Sequence, residues 1–306
     1  MSHGFDLSSP LVCEGIVGDG CGGGRIFFVK DDTLFVHDPL TSSDTLLLKG
    51  ISNAKTLQKK ACRLYLECED GDIVFDISLL KRVFSDKKLI IYDFDGTLID
   101  SVPDLALALN LMLKDISCST YEEDTIRTWV GNGAQTLVKR ALLGSVDTDR
   151  DIDSELFEKA LEIFLKHYEK NACVATTIYP DVKETLESFY KDGYKQAIVT
   201  NKPYKFIQPI LKGLEIEHYF EYYIGGDSLE LKKPSPEPLY HVCKKLDIDV
   251  AKSIMVGDSK NDIISANSAK MDVVGVSYGY NYGEDIGVHK PSIVIDGIKE
   301  LVDIVV

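Results

Sequence analysis

Hydrophobic residues are spaced in two different ways along this chain, and the change falls near residue 86. Before it, short β-rich runs recur: Arg25-Ile-Phe-Phe-Val29, Thr33-Leu-Phe-Val36, Thr45-Leu-Leu-Leu48, Arg63-Leu-Tyr-Leu66 and Ile73-Val-Phe-Asp76. Gly, Asp and Ser turns separate them, which is the pattern of short strands joined by tight loops, so residues 1–86 are expected to form a small all-β module. Leu79, Leu80, Val83 and Phe84 fall at helical spacing and predict a short closing helix over 78–84.

From Lys87 the pattern becomes strand, helix, strand, helix. Leu89-Ile-Ile-Tyr92, Gln196-Ala-Ile-Val-Thr200, Ser253-Ile-Met-Val256 and Val273-Val-Gly-Val276 are short continuous apolar runs, as strands buried on both faces of a parallel sheet require. Helical segments separate the last three, as crossovers between parallel strands must. Residues 103–179 read as helix only, with apolar stripes over Asp104–Leu113, Ala134–Leu143 and Leu156–Tyr168. The expected organisation is an α/β core from 87–102 and 180–306, with 103–179 inserted into it as a helical lid. No internal repeat or low-complexity tract interrupts it.

Composition changes this picture mainly through charge. The 306 residues are 44% hydrophobic and 27% charged, which excludes a disordered tail or a fibre. With 34 Lys and Arg against 49 Asp and Glu, the formal net charge is −15. A surface so acidic repels DNA, RNA and anionic membranes, and no basic patch reverses it, so neither nucleic acid nor membrane is an expected partner. The start lacks a basic segment followed by an apolar run, and no apolar stretch reaches the roughly 18 residues of a membrane span, so a cytoplasmic protein is expected. Seven scattered cysteines with no Cys-x-x-Cys pair read as reduced, mostly buried thiols.

Candidate chemistry gathers at Leu89-Ile-Ile-Tyr-Asp93-Phe-Asp95-Gly-Thr97. Ligands of parallel α/β sheets bind beyond the carboxyl ends of strands, and here two carboxylates leave such an end. Period-2 alternation starts Asp93 and Asp95 on one side. Two adjacent aspartates are costly to ionise together without a cation, which points to a bound hard metal. Gly96 lets the backbone turn sharply. Alone, an Asp-x-Asp pair reads equally as turn or cap aspartates. It is not alone: Thr200-Asn201, Lys233-Pro-Ser-Pro236 and Gly257-Asp258-Ser-Lys-Asn-Asp262 each follow an apolar strand or precede a helix.

In order, type and context these four segments resemble the haloacid dehalogenase-like superfamily, and the resemblance spans Lys87 to Val306. It implies a Rossmann-like parallel-sheet core with an inserted α-helical cap, here preceded by the small β-rich module. It further implies Asp93 as a nucleophile toward a phosphate monoester and Asp95 as the acid and then the base. Thr200, Asn201 and Lys233 would hold phosphoryl oxygens. Mg²⁺ would be bound by Asp93, Asp258 and the Asp95 main-chain carbonyl, while Asp262 would orient Lys233 or an outer-shell water. An aspartate two residues after the nucleophile resembles phosphatases rather than dehalogenases, and no cap lysine sits in a motif matching Schiff-base phosphonatases.

Trp129-Val-Gly-Asn-Gly-Ala134, Thr200-Asn-Lys-Pro203, Gly225-Gly-Asp227 and Val276-Ser-Tyr-Gly-Tyr-Asn-Tyr-Gly283 look like the phosphoglycolate phosphatase branch of that superfamily, departing from it at Lys270-Met271, where Gly-Met is usual. The expected partner is thus a small phosphorylated metabolite, 2-phosphoglycolate first, then a sugar phosphate, nucleotide or pyrophosphate. Gly131, Asn132 and Gly133 open a cap helix whose free amides suit a small carboxylate. Lys202 and Arg140 are weaker candidates for that carboxylate and read more often as solvated surface charges. Gly18-Asp-Gly20-Cys-Gly-Gly23 matches a nucleotide-binding spacing, but a strand follows it rather than a helix, so it reads as a hairpin loop. A second class of function remains open: a β-module that recruits a partner or a second copy of the chain, with the phosphatase fold secondary.

Overall fold

The structure, a computed structural model, describes residues 16–17, 26–38, 43–51, 54–60, 63–69, 71–76, 84 and 86–305. The glycine run at 18–23, Cys13, Cys21 and Cys62 lie outside the described residues, as does the helix expected over 78–84 except for Phe84. The chain divides into two compact units, Met1–Val83 with Ser292–Ile295, and Phe84–Pro291 with Asp296–Val306.

Among the described residues of Met1–Val83 the first unit is built of antiparallel β-sheets, as its short runs predict. Strands β1 (Ile16–Val17), β2 (Ile26–Lys30), β3 (Thr33–Asp38) and β4 (Ser43–Lys49) form one antiparallel sheet, and β5 (Ala54–Lys60), β6 (Arg63–Cys68) and β7 (Ile73–Asp76) form another. Asp31 and Asp32 carry the β2–β3 turn with φ of 47° and 54°, the positive pair that a two-residue hairpin demands for its twist. Inward-facing residues of both sheets, including Phe27, Val29, Leu34, Val36, Leu57, Leu64 and Leu66, make one shared core.

A six-stranded parallel sheet has the order β12 (Tyr222–Ile224), β11 (Lys195–Val199), β8 (Leu89–Tyr92), β13 (Ser253–Gly257), β14 (Asp272–Val276), β15 (Ile293–Ile295), the first five strands belonging to the second unit. Every residue of β8 and β13 is buried, which explains their unbroken apolar runs. The chain leaves β8 for β11 on one side and later returns to β13 on the other. That reversal opens a crevice at the carboxyl end of β8, where ligands of open α/β sheets bind. Helices α5 (Val182–Lys191), α6 (Ile207–Gly213), α7 (Glu237–Leu246), α8 (Lys260–Ala269) and α9 (Leu301–Ile304) accompany this sheet. Lys270 ends α8 at φ 56°, a left-handed position that glycine adopts without strain, so the departure at this residue belongs to a helix terminus.

Between β8 and β11 the chain makes a two-stranded antiparallel hinge, β9 (Ile99–Asp100) with β10 (Thr177–Ile178), and carries four helices between them: α1 (Val102–Asp115), α2 (Glu123–Arg127), α3 (Ala134–Leu143) and α4 (Ser154–Asn171). Ala160, Phe164 and Tyr168 of α4, four residues apart, are its buried stripe. No helix among the described residues is long and apolar enough to cross a membrane.

Asp104 joins the two ends of this insertion. Its buried carboxylate accepts from the amides of Cys173, Val174, Ala175 and Thr176 at 2.8–3.0 Å and from Thr176 Oγ1 at 2.6 Å. Removing the acceptor leaves four amides and a hydroxyl without it, and although Val174 and Ala175 are exposed to water, Thr176 is buried. Asp104→Ala is therefore expected to cost about 3 kcal/mol or more by urea denaturation. A cost below about 1 kcal/mol would show that the return segment does not depend on this carboxylate.

Candidate active site

The end of β8 is built to bring carboxylates together. The Asp93 amide still donates to Val256 O of β13 (2.9 Å), so Asp93 is held in the sheet, and its Oδ1 then accepts from the Phe94 amide (2.7 Å). The chain turns at Gly96, where φ is +88° and a Cβ would sit 2.3 Å from Asp258 Oδ2. Only glycine allows this loop to press against the Asp258 carboxylate. Thr97 Oγ1 donates to Asp258 Oδ1 and the Tyr280 amide to Asp258 Oδ2, both at 2.8 Å, which fixes its orientation.

Asp93, Asp258 and Asp262 are all buried, with carboxylate oxygens within 4.8 Å of one another. Lys233, 2% exposed, reaches Asp93 at 2.9 Å and Asp262 at 2.6 Å. Burial opposes its charge, but Asp262 and then Asp93 more than offset this and hold the ammonium protonated. Asp262 Oδ2 accepts from the Ser259 amide (3.0 Å) and Oγ (2.7 Å), a capping-box contact at the start of α8. Asp262 is therefore committed to Lys233 and the helix. Burial, and next the Asp262 charge, push Asp93 up to about 8 and Asp258 up to about 7. Three carboxylates against one ammonium leave an excess of negative charge that an oxygen-ligated hard dication would offset, and the donor chemistry of Asp93 and Asp258 fits one.

Asp95 turns away from this cluster. Its carboxylate accepts from Ser101 Oγ (2.5 Å) and from Lys202 Nζ (2.8 and 3.2 Å). Asp93, Asp95, Thr200, Asn201 and Lys202 line one cavity, which the cap closes with Leu105, Val130, Leu137, Phe164 and Tyr168. Thr200 and Asn201 leave the end of β11, the neighbour of β8. Asn201 Nδ2 donates to Lys233 O (3.1 Å) and to Gly131 O (3.2 Å), binding the core to the cap loop, and Asn261 Nδ2 donates to the same Gly131 carbonyl (3.2 Å).

Several expectations need correction. Lys202 and Arg140 are not solvated: they are 4% and 8% exposed. Arg140 donates to Val146 O and Trp129 O, tying together the two ends of α3, whereas Lys202 faces Asp95. Gly131 and Gly133 line the cavity but Asn132 is not among its lining residues; the Asn132 carbonyl accepts from Lys232 Nζ (2.9 Å). Of the cysteines described, Cys243 is buried, Cys118 is exposed, and Cys68 and Cys173 are intermediate, so they are not mostly buried. The sequence reading missed Ser101 and Tyr168. Ser101 directly precedes α1 close to the Asp-x-Asp loop, and that proximity was its one available signal; Tyr168 belongs to a stripe that reads as ordinary core.

Comparisons with known proteins follow the same geometry. A family model described as haloacid dehalogenase-like hydrolase matches residues 90–276. The chain is 50% identical over 216 residues to the phosphoglycolate phosphatase of Colwellia psychrerythraea, covering 71% of this chain and 96% of that protein. It is 47% identical over 219 residues to the phosphoglycolate phosphatase of Psychrobacter arcticus, with 71% and 95% covered. A crystal structure of a predicted phosphoglycolate phosphatase from Haemophilus somnus superposes with a TM-score of 0.67 at 41% identity, over 72% of this chain and 98% of that one.

A methyl group at residue 96 must displace the Asp258 carboxylate or the loop that carries Asp95. Displacements near 1 Å cost on the order of 100-fold in rate. Gly96→Ala is expected to lower turnover by about that factor while far-UV circular dichroism stays unchanged; undiminished turnover would mean that the close approach is dispensable.

Proposed function

The chain belongs to the haloacid dehalogenase-like hydrolase family, and from that membership we propose that it hydrolyses 2-phosphoglycolate to glycolate and inorganic phosphate, with Mg²⁺ as cofactor and an aspartyl phosphate on Asp93 as intermediate. Phosphoric monoester hydrolysis itself is its activity class, shared with relatives at 40–50% identity. The observation that carries the mechanistic reading is the paired arrangement of Asp93 and Asp95 at one cavity, the first held by Lys233 and the second kept apart by Ser101 and Lys202.

In the first step an Asp93 oxygen attacks phosphorus and the ester P–O bond breaks, while Asp95 supplies the proton that the leaving alkoxide needs. In the second, Asp95 takes a proton from water, the resulting oxygen attacks phosphorus, and the Asp93–phosphorus bond breaks to release phosphate. Splitting the displacement makes each step easier than direct attack by water. The Thr200 hydroxyl, Asn201 and the Lys233 ammonium hold the phosphoryl oxygens as charge shifts among them. Asp93, Asp258 and the Asp95 main-chain carbonyl would hold Mg²⁺, which would supply positive charge to offset that of the phosphoryl group. The relatives' names support the choice of ester, and the small cavity agrees with a short alcohol.

A panel of phosphate monoesters assayed with Mg²⁺ is expected to give the highest kcat/KM on 2-phosphoglycolate. Asp93→Asn is expected to lose at least about 1,000-fold in kcat, and retained turnover would sink the proposed intermediate. Chelation is expected to abolish turnover and added Mg²⁺ to restore it, because the bare carboxylate cluster repels a phosphate; chelator-resistant activity would remove the metal from the reaction.

A further inference from the structure

Two polar groups in the cavity are left over once the phosphate side has been assigned. Lys202 Nζ lies against Asp95, with its side chain 2% exposed, and stands 4.8 Å from the centre of the Tyr168 ring. Tyr168, from the cap helix α4, is 1% exposed, and its hydroxyl has no acceptor for its proton; the polar neighbour it meets is the Lys202 ammonium, itself a donor. Burial pushes the Tyr168 phenol upward against the pull of the neighbouring Lys202 charge, so the group is a neutral donor. Its ring cannot swing away easily, because it stacks on Phe164 and meets Phe206 edge to face. A buried donor without an acceptor is costly, as is an ammonium removed from water. Asp95 answers the ammonium but not the hydroxyl.

We propose that Lys202 and Tyr168 form a receptor for a carboxylate on the alcohol portion of the substrate, and so make the enzyme selective for phosphate esters whose leaving alcohol is anionic. This rests on the phosphatase reading of the site. The placement follows from the reaction: phosphorus sits at Asp93, the leaving oxygen faces Asp95, and the rest of the alcohol extends beyond Asp95 to where Lys202 and Tyr168 meet. A carboxylate there offers one oxygen to the ammonium and another to the phenol. Around them the cavity wall is apolar, with Leu105, Val130, Leu137, Phe164 and Phe206. A neutral alcohol of the same size brings no charge to the ammonium and at most one hydroxyl oxygen to the phenol, and a site built for an anion rejects such analogues strongly. The receptor is shared between core and cap, so an anionic substrate also joins the two across the cavity.

The test compares 2-phosphoglycolate with 2-hydroxyethyl phosphate, its neutral counterpart of equal length, on the full chain with Mg²⁺. The wild type is expected to favour 2-phosphoglycolate by about 100-fold or more in kcat/KM. Lys202→Met is expected to collapse that ratio by about 30-fold, chiefly through KM, and Tyr168→Phe by about 5-fold, with Lys202→Arg recovering most of it. Losses common to both esters, such as those from disturbing Asp95, cancel in the ratio. Equal losses on the two esters, or a wild type that prefers neither, overturn the receptor and leave the phosphatase reading intact. If neither ester is turned over, that reading fails, and calorimetric binding to Asp93→Asn decides the receptor separately. There, 2-phosphoglycolate must lose affinity on adding Lys202→Met while 2-hydroxyethyl phosphate loses less, and equal affinities overturn it.

Discussion

Three buried carboxylates around one buried ammonium, at the end of the central strand of a parallel sheet, set the terms for everything near them. Such a cluster is electrostatically expensive, and it persists only because each member has a fixed partner. Lys233 bridges Asp93 and Asp262, Asp262 is braced by Ser259 at the head of α8, and Asp258 is pinned by Thr97 and the Tyr280 amide. These contacts come from β8, β13, the approach to α7 and the loop after β14, so the sheet order that makes β8 and β13 neighbours is a condition of the site. A cluster left with excess negative charge is also a poor place for a phosphate unless a cation joins it. The same electrostatics that make the bare cluster costly give the proposed metal its reason to be there.

The net charge of −15 takes on a different meaning at this scale. As a long-range field it argues against polyanions, whose many phosphates would each feel it. A small ester feels the nearest groups instead, and there the charges are arranged singly: Lys233 beside Asp93, Lys202 beside Asp95. Both ammoniums are buried, so water and salt screen them little. An acidic surface and an anion-binding interior coexist because the cavity walls separate the two.

Much of this was legible in the sequence, for identifiable reasons. Continuous apolar runs announced buried parallel strands, and the polar residues following them had to emerge at one edge of the sheet, so Asp93, Thr200 and Asp258 could be grouped before any coordinates. The short runs of the first 86 residues likewise read as a small β-rich module. Lys202 and Arg140 were misread because long charged residues are exposed by default. Their burial comes from contacts 34 and 107 positions away for Lys202, and for Arg140 from the carbonyls of Val146 and Trp129 at the two ends of its helix. Asn132 was misplaced for a related reason. A helix-opening loop can present either its amides or its carbonyls, and here the Gly131 and Asn132 carbonyls face the core donors Asn201, Asn261 and Lys232. Which of the two faces inward depends on what the loop meets.

That choice bears on how the cap works. Carbonyls of the 131–132 loop accept from core amides and an ammonium and so tie the cap to the core, and Gly133 fits because a Cβ there would lie 2.8 Å from Asn201 O. The hinge pair Ile99–Asp100 with Thr177–Ile178 and the Asp104 clamp keep the two crossings together, so opening should move the four cap helices as one body rather than unravel them. In the cavity, Asp95 is engaged by Lys202 and Ser101 as an acceptor. A carboxylate on the leaving alcohol would share Lys202 with Asp95, whereas a neutral alcohol would leave that ammonium to Asp95 alone. The lysine that meets the leaving group is also the one that positions Asp95, so discrimination between esters would arise at the chemical step as well as in binding.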